Sequence, residues 1–92
     1  MQISAVIITF NEEDNIAPCI KSIEDVCDEI IVVDSFSTDK TTEIAEKYPK
    51  VKTFSQKWLG YVEQKNYANS LTTFNTILSI DADEVLSSQL KE

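Results

Sequence analysis

The sequence contains no histidine and no arginine, since all eight of its basic residues are lysines. These absences exclude imidazole metal ligands, Ser/His and Cys/His catalysis, and an arginine that stabilises phosphoryl transfer. The single glycine, Gly60, excludes the glycine-rich phosphate-binding motifs, because each of them needs at least two glycines. Any chemistry must therefore use carboxylates, lysine amines, hydroxyl groups or the backbone.

Positive charge and long apolar runs are also scarce. The formal net charge is −8, and no basic stripe is present, which argues against binding to nucleic acid. No apolar run approaches the ~20 residues of a membrane span, and no basic region precedes the first apolar stretch as in a signal peptide. Cys19 and Cys27 have no companion ligands and fit structural thiols in a reducing compartment. We predict a cytoplasmic protein, either free or at the inner face of a membrane.

The 92 residues are enough for one small domain with one core. Short apolar runs rich in β-branched residues alternate with segments of helical periodicity. Pro18 disturbs the first helical segment unless it lies in the first turn. Ser37 or Thr38 is the expected N-cap of the second helix. The predicted strands are 3–9, 29–33, 51–54 and 77–80, and the predicted helices are 13–24, 39–48, 61–71 and one that begins at Val85.

Strict alternation of strands and helices predicts an α/β fold, a Rossmann-like three-layer sandwich with a four-stranded, mainly parallel sheet. Ligands of such sheets bind at the carboxyl ends of the strands. Polar clusters follow the first, second and fourth strands, so we expect all three to share one edge of the sheet. They are residues 9–12, 34–39 and 81–84.

The third cluster follows the apolar run that starts at Thr76. Asp81 and Asp83 are two residues apart, so in an extended strand end their side chains point the same way. Such a pair suits Mg²⁺ or Mn²⁺, which takes one or two carboxylates and completes its shell with water and phosphate. The alternative is that Asp81 and Glu84 form a capping box for the helix that follows.

The other candidate residues also have two interpretations. Asn11 and Glu12 fit helix capping as well as ligand binding. Asp34 either accepts hydrogen bonds from a nucleotide or caps its own loop as an Asx turn. Lys65 either belongs to a solvated helix face or offsets the charge of a diphosphate. The simplest place for three aromatic residues is the core or its rim: Trp58, Tyr61 and Tyr67.

Four segments carry a resemblance to a known family: I-I-T-F-N-E at 7–12, V-V-D-S-F-S-T-D at 32–39, Q-K-N-Y-A at 64–68 and L-S-I-D-A-D-E at 78–84. In order and spacing they resemble the amino-terminal half of family 2 glycosyltransferases, over nearly the whole chain. The variants after strands two and four are similar to bacterial cell-envelope members, including those that add sugars to the lipopolysaccharide core. Lys40 departs from the pattern, since the family often has glycine there.

The resemblance implies a GT-A fold and inverting sugar transfer from a nucleotide-diphosphate sugar, commonly a UDP-sugar. It implies a D-x-D motif that holds Mn²⁺ or Mg²⁺, and the metal would stabilise charge on the leaving nucleotide. It also implies these roles: Thr9, Asn11 and Glu12 near the nucleoside, Asp34 on the base, Lys65 near the phosphates, Asp81 at the ribose or the metal's waters, and Asp83 as direct metal ligand.

The family is well over twice as long as this chain. The acceptor half and the general base are expected beyond Glu92, so residues 1–92 would be the nucleotide-diphospho-sugar-binding half of a truncated GT-A domain. We expect no transfer by this half alone, and self-association through the sheet edge beside the fourth strand. One alternative is a non-catalytic binding or assembly module of the same fold. Another is a receiver-type signalling domain, which would need acids where this chain has Asn11-Glu12 and Ser55-Gln56.

Overall fold

The computed structural model describes residues 2–84. The elements along the chain are β1 (Ile3–Thr9), α1 (Ile16–Ile23), β2 (Glu29–Asp34), α2 (Thr41–Ala45), β3 (Val51–Ser55), α3 (Tyr61–Ser70) and β4 (Thr76–Ser79). The four strands are parallel and form one sheet in the order β3-β2-β1-β4. Most residues of β1 and β2 are aliphatic, as expected for strands that are covered on both faces.

Alternate residues of the two central strands contact different helical layers. Ala5 and Ile7 of β1 pack in the cluster that contains α1 and Ala45 of α2. Val6 of β1 lies in the other cluster, together with Ala68 of α3. Helices therefore cover both faces of the sheet, and the predicted three-layer α/β architecture is confirmed.

The first helix begins at Ile16, three residues later than predicted. The backbone N–H groups of Glu12 and Glu13 donate to the side chains of Thr41 and Asp39, at 2.8 and 3.1 Å, so this segment is held by another loop. The late start places Pro18 in the first helical turn, where a backbone N–H has no acceptor within the helix.

The second helix spans only Thr41–Ala45, and the prediction of Ser37 or Thr38 as its N-cap is wrong. Lys40 is the N-cap and makes no capping bond through its side chain. Ser37 and Thr38 instead form hydrogen bonds with Asn11, on the loop after β1. A contact between distant segments thus replaces the local cap.

The remaining predicted elements match the observed ones to within one residue at each end. The fourth strand is Thr76–Ser79, and α3 ends at Ser70. The helix predicted from Val85 lies outside the described residues. Within residues 2–84, no helix has the length and apolar character needed to cross a bilayer.

A buried carboxylate joins the strands at their amino-terminal ends. Glu29 is 4% exposed and accepts hydrogen bonds from Ser4 Oγ at 2.7 Å, Lys52 Nζ at 2.9 Å and Thr73 N at 2.5 Å. Burial alone would raise the pKa of Glu29, but these hydrogen bonds outweigh it and lower the pKa to about 2. The candidate site lies at the opposite end of the sheet, at the carboxyl-terminal ends of the strands.

Candidate functional site

The three predicted polar clusters meet at the carboxyl-terminal ends of the strands, as the parallel topology requires. The backbone N–H of Ser35 donates to Thr9 O at 3.0 Å, which joins the ends of β1 and β2. Ile80 N donates to Val6 O at 3.3 Å, so the chain that leaves β4 still follows β1. The segment after Ile80 therefore runs directly to the loops that follow the other strands.

A cavity of about 290 Å³ lies at this edge, and we call it the acidic pocket. It brings together four of the predicted site residues, Thr9, Glu12, Asp81 and Asp83, which come from two separate segments of the chain. Three aromatic residues, Phe10, Trp58 and Tyr61, complete much of its wall. The lining residues are Ile8, Thr9, Phe10, Glu12, Trp58, Tyr61, Asp81, Ala82 and Asp83.

The D-A-D segment presents both acids to the acidic pocket. Ala82 is 2% exposed and anchors the segment in the core, whereas Asp81 and Asp83 on either side of it are exposed. Residues 81–84 form a turn and not the extended strand end that the i, i+2 argument assumed, yet both acids line the same pocket. Asp81 N donates to Glu84 Oε1 at 2.8 Å, and Glu84 N donates to Asp81 O at 2.9 Å. This is the Glu84 half of the capping box, and it uses neither the Asp81 nor the Asp83 carboxylate.

The thiol of Cys19 is buried next to this turn, and the negative charges of the turn contribute to its raised pKa. Cys19 Sγ donates to Asp81 O at 3.5 Å. Burial, together with the smaller effects of the charges of Glu84, Asp83, Asp81 and Glu12, raises the pKa of Cys19 to about 12. These acids concentrate negative charge at this end of the sheet, which opposes the binding of an anion.

Helix α3 adds two residues to this side of the site. The Tyr61 hydroxyl donates to Asp81 Oδ1 at 3.0 Å. Lys65, one turn later, places Nζ at 4.8 Å from the centroid of the Tyr61 ring. Tyr61 is 55% exposed, so it lies on the rim of the core, and sequence reasoning gave it no functional role. Its i, i+4 spacing from Lys65 could have indicated it.

Asp34 is 2% exposed and is held by its own loop. Its Oδ1 accepts hydrogen bonds from Thr9 Oγ1 at 2.6 Å and Ser37 Oγ at 2.5 Å, and its Oδ2 accepts from Ser37 N at 2.8 Å. This geometry corresponds to the loop-capping alternative. A carboxylate has about four lone-pair positions, so these bonds leave one position on Oδ2 unused, although Asp34 does not line the acidic pocket. The Thr9 hydroxyl, expected near a nucleoside, donates to Asp34.

Asn11 joins the loops after β1 and β2 and does not line the acidic pocket. Its Oδ1 accepts from Thr38 N at 2.8 Å, and its backbone N–H donates to Ser37 Oγ at 2.8 Å. Its φ of 52° is left-handed, which asparagine tolerates better than most residues. The N-cap of α1 is Asn15, so the helix-capping interpretation of Asn11 is wrong.

A second cavity of about 570 Å³ adjoins the first, and we call it the aromatic pocket. It shares Phe10 and Trp58 with the acidic pocket, and all three of its rings are more than half exposed. Phe36 has a φ of 57°, which is strained for a bulky side chain and places the strain in the pocket wall. Sequence reasoning missed this pocket. It is lined by Phe10, Ser35, Phe36, Lys57 and Trp58.

The chain alone offers an incomplete set of metal ligands. Among residues 2–84, no group of three or more His, Cys, Asp or Glu side chains is arranged to hold a metal ion. Asp81 and Asp83 supply two carboxylates to one pocket. Two carboxylates fit Mg²⁺ or Mn²⁺ when phosphate oxygens and water complete the coordination shell.

Comparison with known proteins identifies the family. The model of a family described as glycosyl transferase family 2 matches residues 4–92. The chain belongs to this family. It is 50% identical over 91 residues to an uncharacterized glycosyltransferase of Rickettsia conorii and 38% identical over 96 residues to the lipopolysaccharide core biosynthesis glycosyltransferase LpsC of Rhizobium meliloti. These matches cover 99% and 100% of this chain but only 32% and 35% of the relatives. The chain thus spans about one third of their length.

A solved structure agrees with this family 2 assignment. Glucosyl-3-phosphoglycerate synthase of Mycobacterium tuberculosis, in complex with Mn²⁺, UDP and phosphoglyceric acid, superposes with a TM-score of 0.77 at 29% identity. The match covers 91% of this chain and 34% of the synthase. The α/β fold of the chain is that of the GT-A glycosyltransferases, as predicted, and the family assignment decides against a receiver domain.

Proposed function

We propose that this domain binds the nucleoside diphosphate of a sugar donor together with a divalent cation. In this proposal it is the donor half of an inverting glycosyltransferase of cell-envelope polysaccharide or lipopolysaccharide synthesis. The observation that carries it is the acidic pocket, where Asp81 and Asp83 face one space beside an aromatic pocket. The similarity to LpsC and to a synthase in complex with UDP and Mn²⁺ supports the substrate class.

The two pockets suit the two ends of such a nucleotide. Exposed aromatic rings favour stacking with a planar base, so the base would occupy the aromatic pocket. The diphosphate would then reach the acidic pocket, since Phe10 and Trp58 line both cavities. The remaining lone-pair position of Asp34 Oδ2 would accept a hydrogen bond from the base.

The acidic pocket repels a diphosphate unless a cation is present, because Glu12, Asp81 and Asp83 all line it. Asp83 and Asp81 would hold Mn²⁺ or Mg²⁺, and the bound ion would neutralise charge on the diphosphate leaving group. Tyr61 donates to Asp81 and thereby fixes the orientation of that carboxylate. Lys65, which contacts the Tyr61 ring, would add positive charge beside the phosphates.

Calorimetric titration with UDP tests the proposal. In the presence of Mn²⁺ we expect saturable binding, and with EDTA in place of Mn²⁺ we expect none. The control is Asp25→Asn, which removes an exposed acid far from the acidic pocket. This variant should bind UDP with Mn²⁺ as the wild type does. Failure of the folded wild-type chain to bind UDP with Mn²⁺ would contradict the proposal and favour a non-catalytic assembly module.

A further inference from the structure

We infer that Gln64 is a positioning residue that sets the shape of the aromatic pocket without contacting its ligand. Gln64 is fully buried, at 0% exposure, although it lies on the otherwise polar helix α3. A buried amide must have hydrogen-bond partners, because leaving it unpaired costs free energy. The partners of Gln64 identify its role. The inference rests on the proposed nucleotide-binding function.

The Gln64 side chain connects the two loops that carry Ser35 and Trp58, which line the aromatic pocket. Its Nε2 donates to Ser35 Oγ at 3.0 Å, on the loop after β2, and to Gln56 O at 3.4 Å, just after β3. Its Oε1 accepts from Leu59 N at 3.1 Å, just before α3. The amide orientation is fixed, because Leu59 N–H can only donate and Gln56 C=O can only accept.

The position of Trp58 follows from these contacts. Gln64 binds the backbone on both sides of Trp58, at Gln56 and at Leu59. Ser35, its third partner, lines the aromatic pocket directly. One buried side chain therefore fixes the separation between the loop that carries Ser35 and the loop that carries Trp58. The acidic pair is held by the core contact of Ala82, by Glu84 and by the Tyr61 hydroxyl, none of which is a hydrogen-bond partner of Gln64.

Loss of these bonds should affect base binding more than phosphate binding. In Gln64→Met, which has a similar volume but no hydrogen-bonding amide, we expect the Kd for UDP with Mn²⁺ to rise about tenfold. The Kd for inorganic pyrophosphate with Mn²⁺ should stay within about twofold, since pyrophosphate has no base. Ser35→Ala removes one of the bonds and should raise the Kd for UDP by about threefold. It should likewise leave the Kd for pyrophosphate nearly unchanged.

Trp58 reports the pocket directly, because it is the single tryptophan of the chain. We expect Gln64→Met to change the emission maximum of Trp58 and its quenching by acrylamide. Asn69→Ala, at an exposed position of the same helix, is the control and should change neither. If Gln64→Met does not fold by circular dichroism, Ser35→Ala carries the same comparison of UDP with pyrophosphate.

Two results would overturn the inference while leaving the proposed function intact. One is unchanged UDP affinity in a folded Gln64→Met. The other is equal weakening of UDP and pyrophosphate, which would indicate a general effect on the fold. If the wild-type chain binds neither probe, the proposed function fails, and Trp58 quenching alone then decides whether Gln64 positions this wall. Identical quenching of Trp58 in the wild type and in Gln64→Met would then overturn the inference that Gln64 positions this wall.

Discussion

The Asp83 carboxylate is the side chain on which the proposed metal site depends most. It lines the acidic pocket and is exposed, so its removal takes away a ligand and not a core group. We expect Asp83→Ala to abolish the Mn²⁺-dependent part of UDP binding, a loss on the order of 100-fold or more. Its thermal unfolding should match the wild type. Undiminished Mn²⁺ dependence in calorimetry would show that the D-x-D assignment is wrong.

The two cysteines belong to the same core cluster on the α1 side of the sheet, and their reactivity tests its packing. Both are free and buried, and burial raises the pKa of Cys19 to about 12 and also raises that of Cys27. A raised pKa keeps a thiol protonated, and only the thiolate is strongly nucleophilic. At pH 8 we expect a colorimetric disulfide reagent to label neither thiol in the folded chain and both in denaturant. Rapid labelling of the folded chain would contradict the observed packing.

At the scale of elements, Glu29 joins β1, β2 and β3 to the segment before β4. Its pKa in the folded state, about 2, lies below the ordinary value of 4.5. The ionised form thus stabilises the fold fully above about pH 4.5, and this contribution is lost as the pH falls towards 2. We expect Glu29→Gln to lower the free energy of unfolding by about 2 kcal/mol at pH 7.

Chemical denaturation of wild type and Glu29→Gln across pH 2 to 7 measures this contribution. The difference between them should shrink as the pH falls below about 4.5, since Glu29 then binds a proton in the unfolded wild type before it does so in the folded wild type. Comparison with the variant removes the effects of the other acids. A difference that stays constant with pH would mean that the Glu29 charge does not stabilise these contacts.

The loops after β1 and β2 hold each other through side chain to backbone bonds. Asn11 accepts from Thr38 N, and Glu13 accepts from Lys40 N. In the other direction, Thr41 accepts from Glu12 N. These bonds hold residues that were predicted to be helical, so both helices begin later than predicted. It also gives Asn11 a structural task, so its predicted contact with a nucleotide stays a prediction.

At the scale of the whole molecule, β4 is an edge of the sheet formed by residues 2–84. Ile77 on this strand is 38% exposed, and an edge strand offers unpaired backbone groups to another chain. We expect the mass from light scattering to rise with concentration in the wild type. Ile77→Lys should reduce this association, because a charged edge disfavours strand pairing.

Val62→Lys is the matched control for this measurement. Val62 is 68% exposed but lies on α3, so the substitution makes the same chemical change away from the strand edge. It should leave the association unchanged. A mass of one chain at every concentration of the wild type would contradict self-association through β4.

The sequence by itself determined the order of elements, the parallel sheet and the edge at which the site lies. These features follow from local patterns: buried β-branched runs, helical periodicity and the placement of polar residues after strands. Each inference needs only neighbouring residues, so it can be read directly from the chain.

Only the tertiary structure decided what those polar residues bind within the chain. Asp34 accepts from Thr9, 25 residues away, and Gln64 donates to Ser35, 29 residues away. The aromatic pocket likewise combines loops that follow three different strands. Local propensity carries no information about such partners, because folding brings the loops together only when the strands pair side by side.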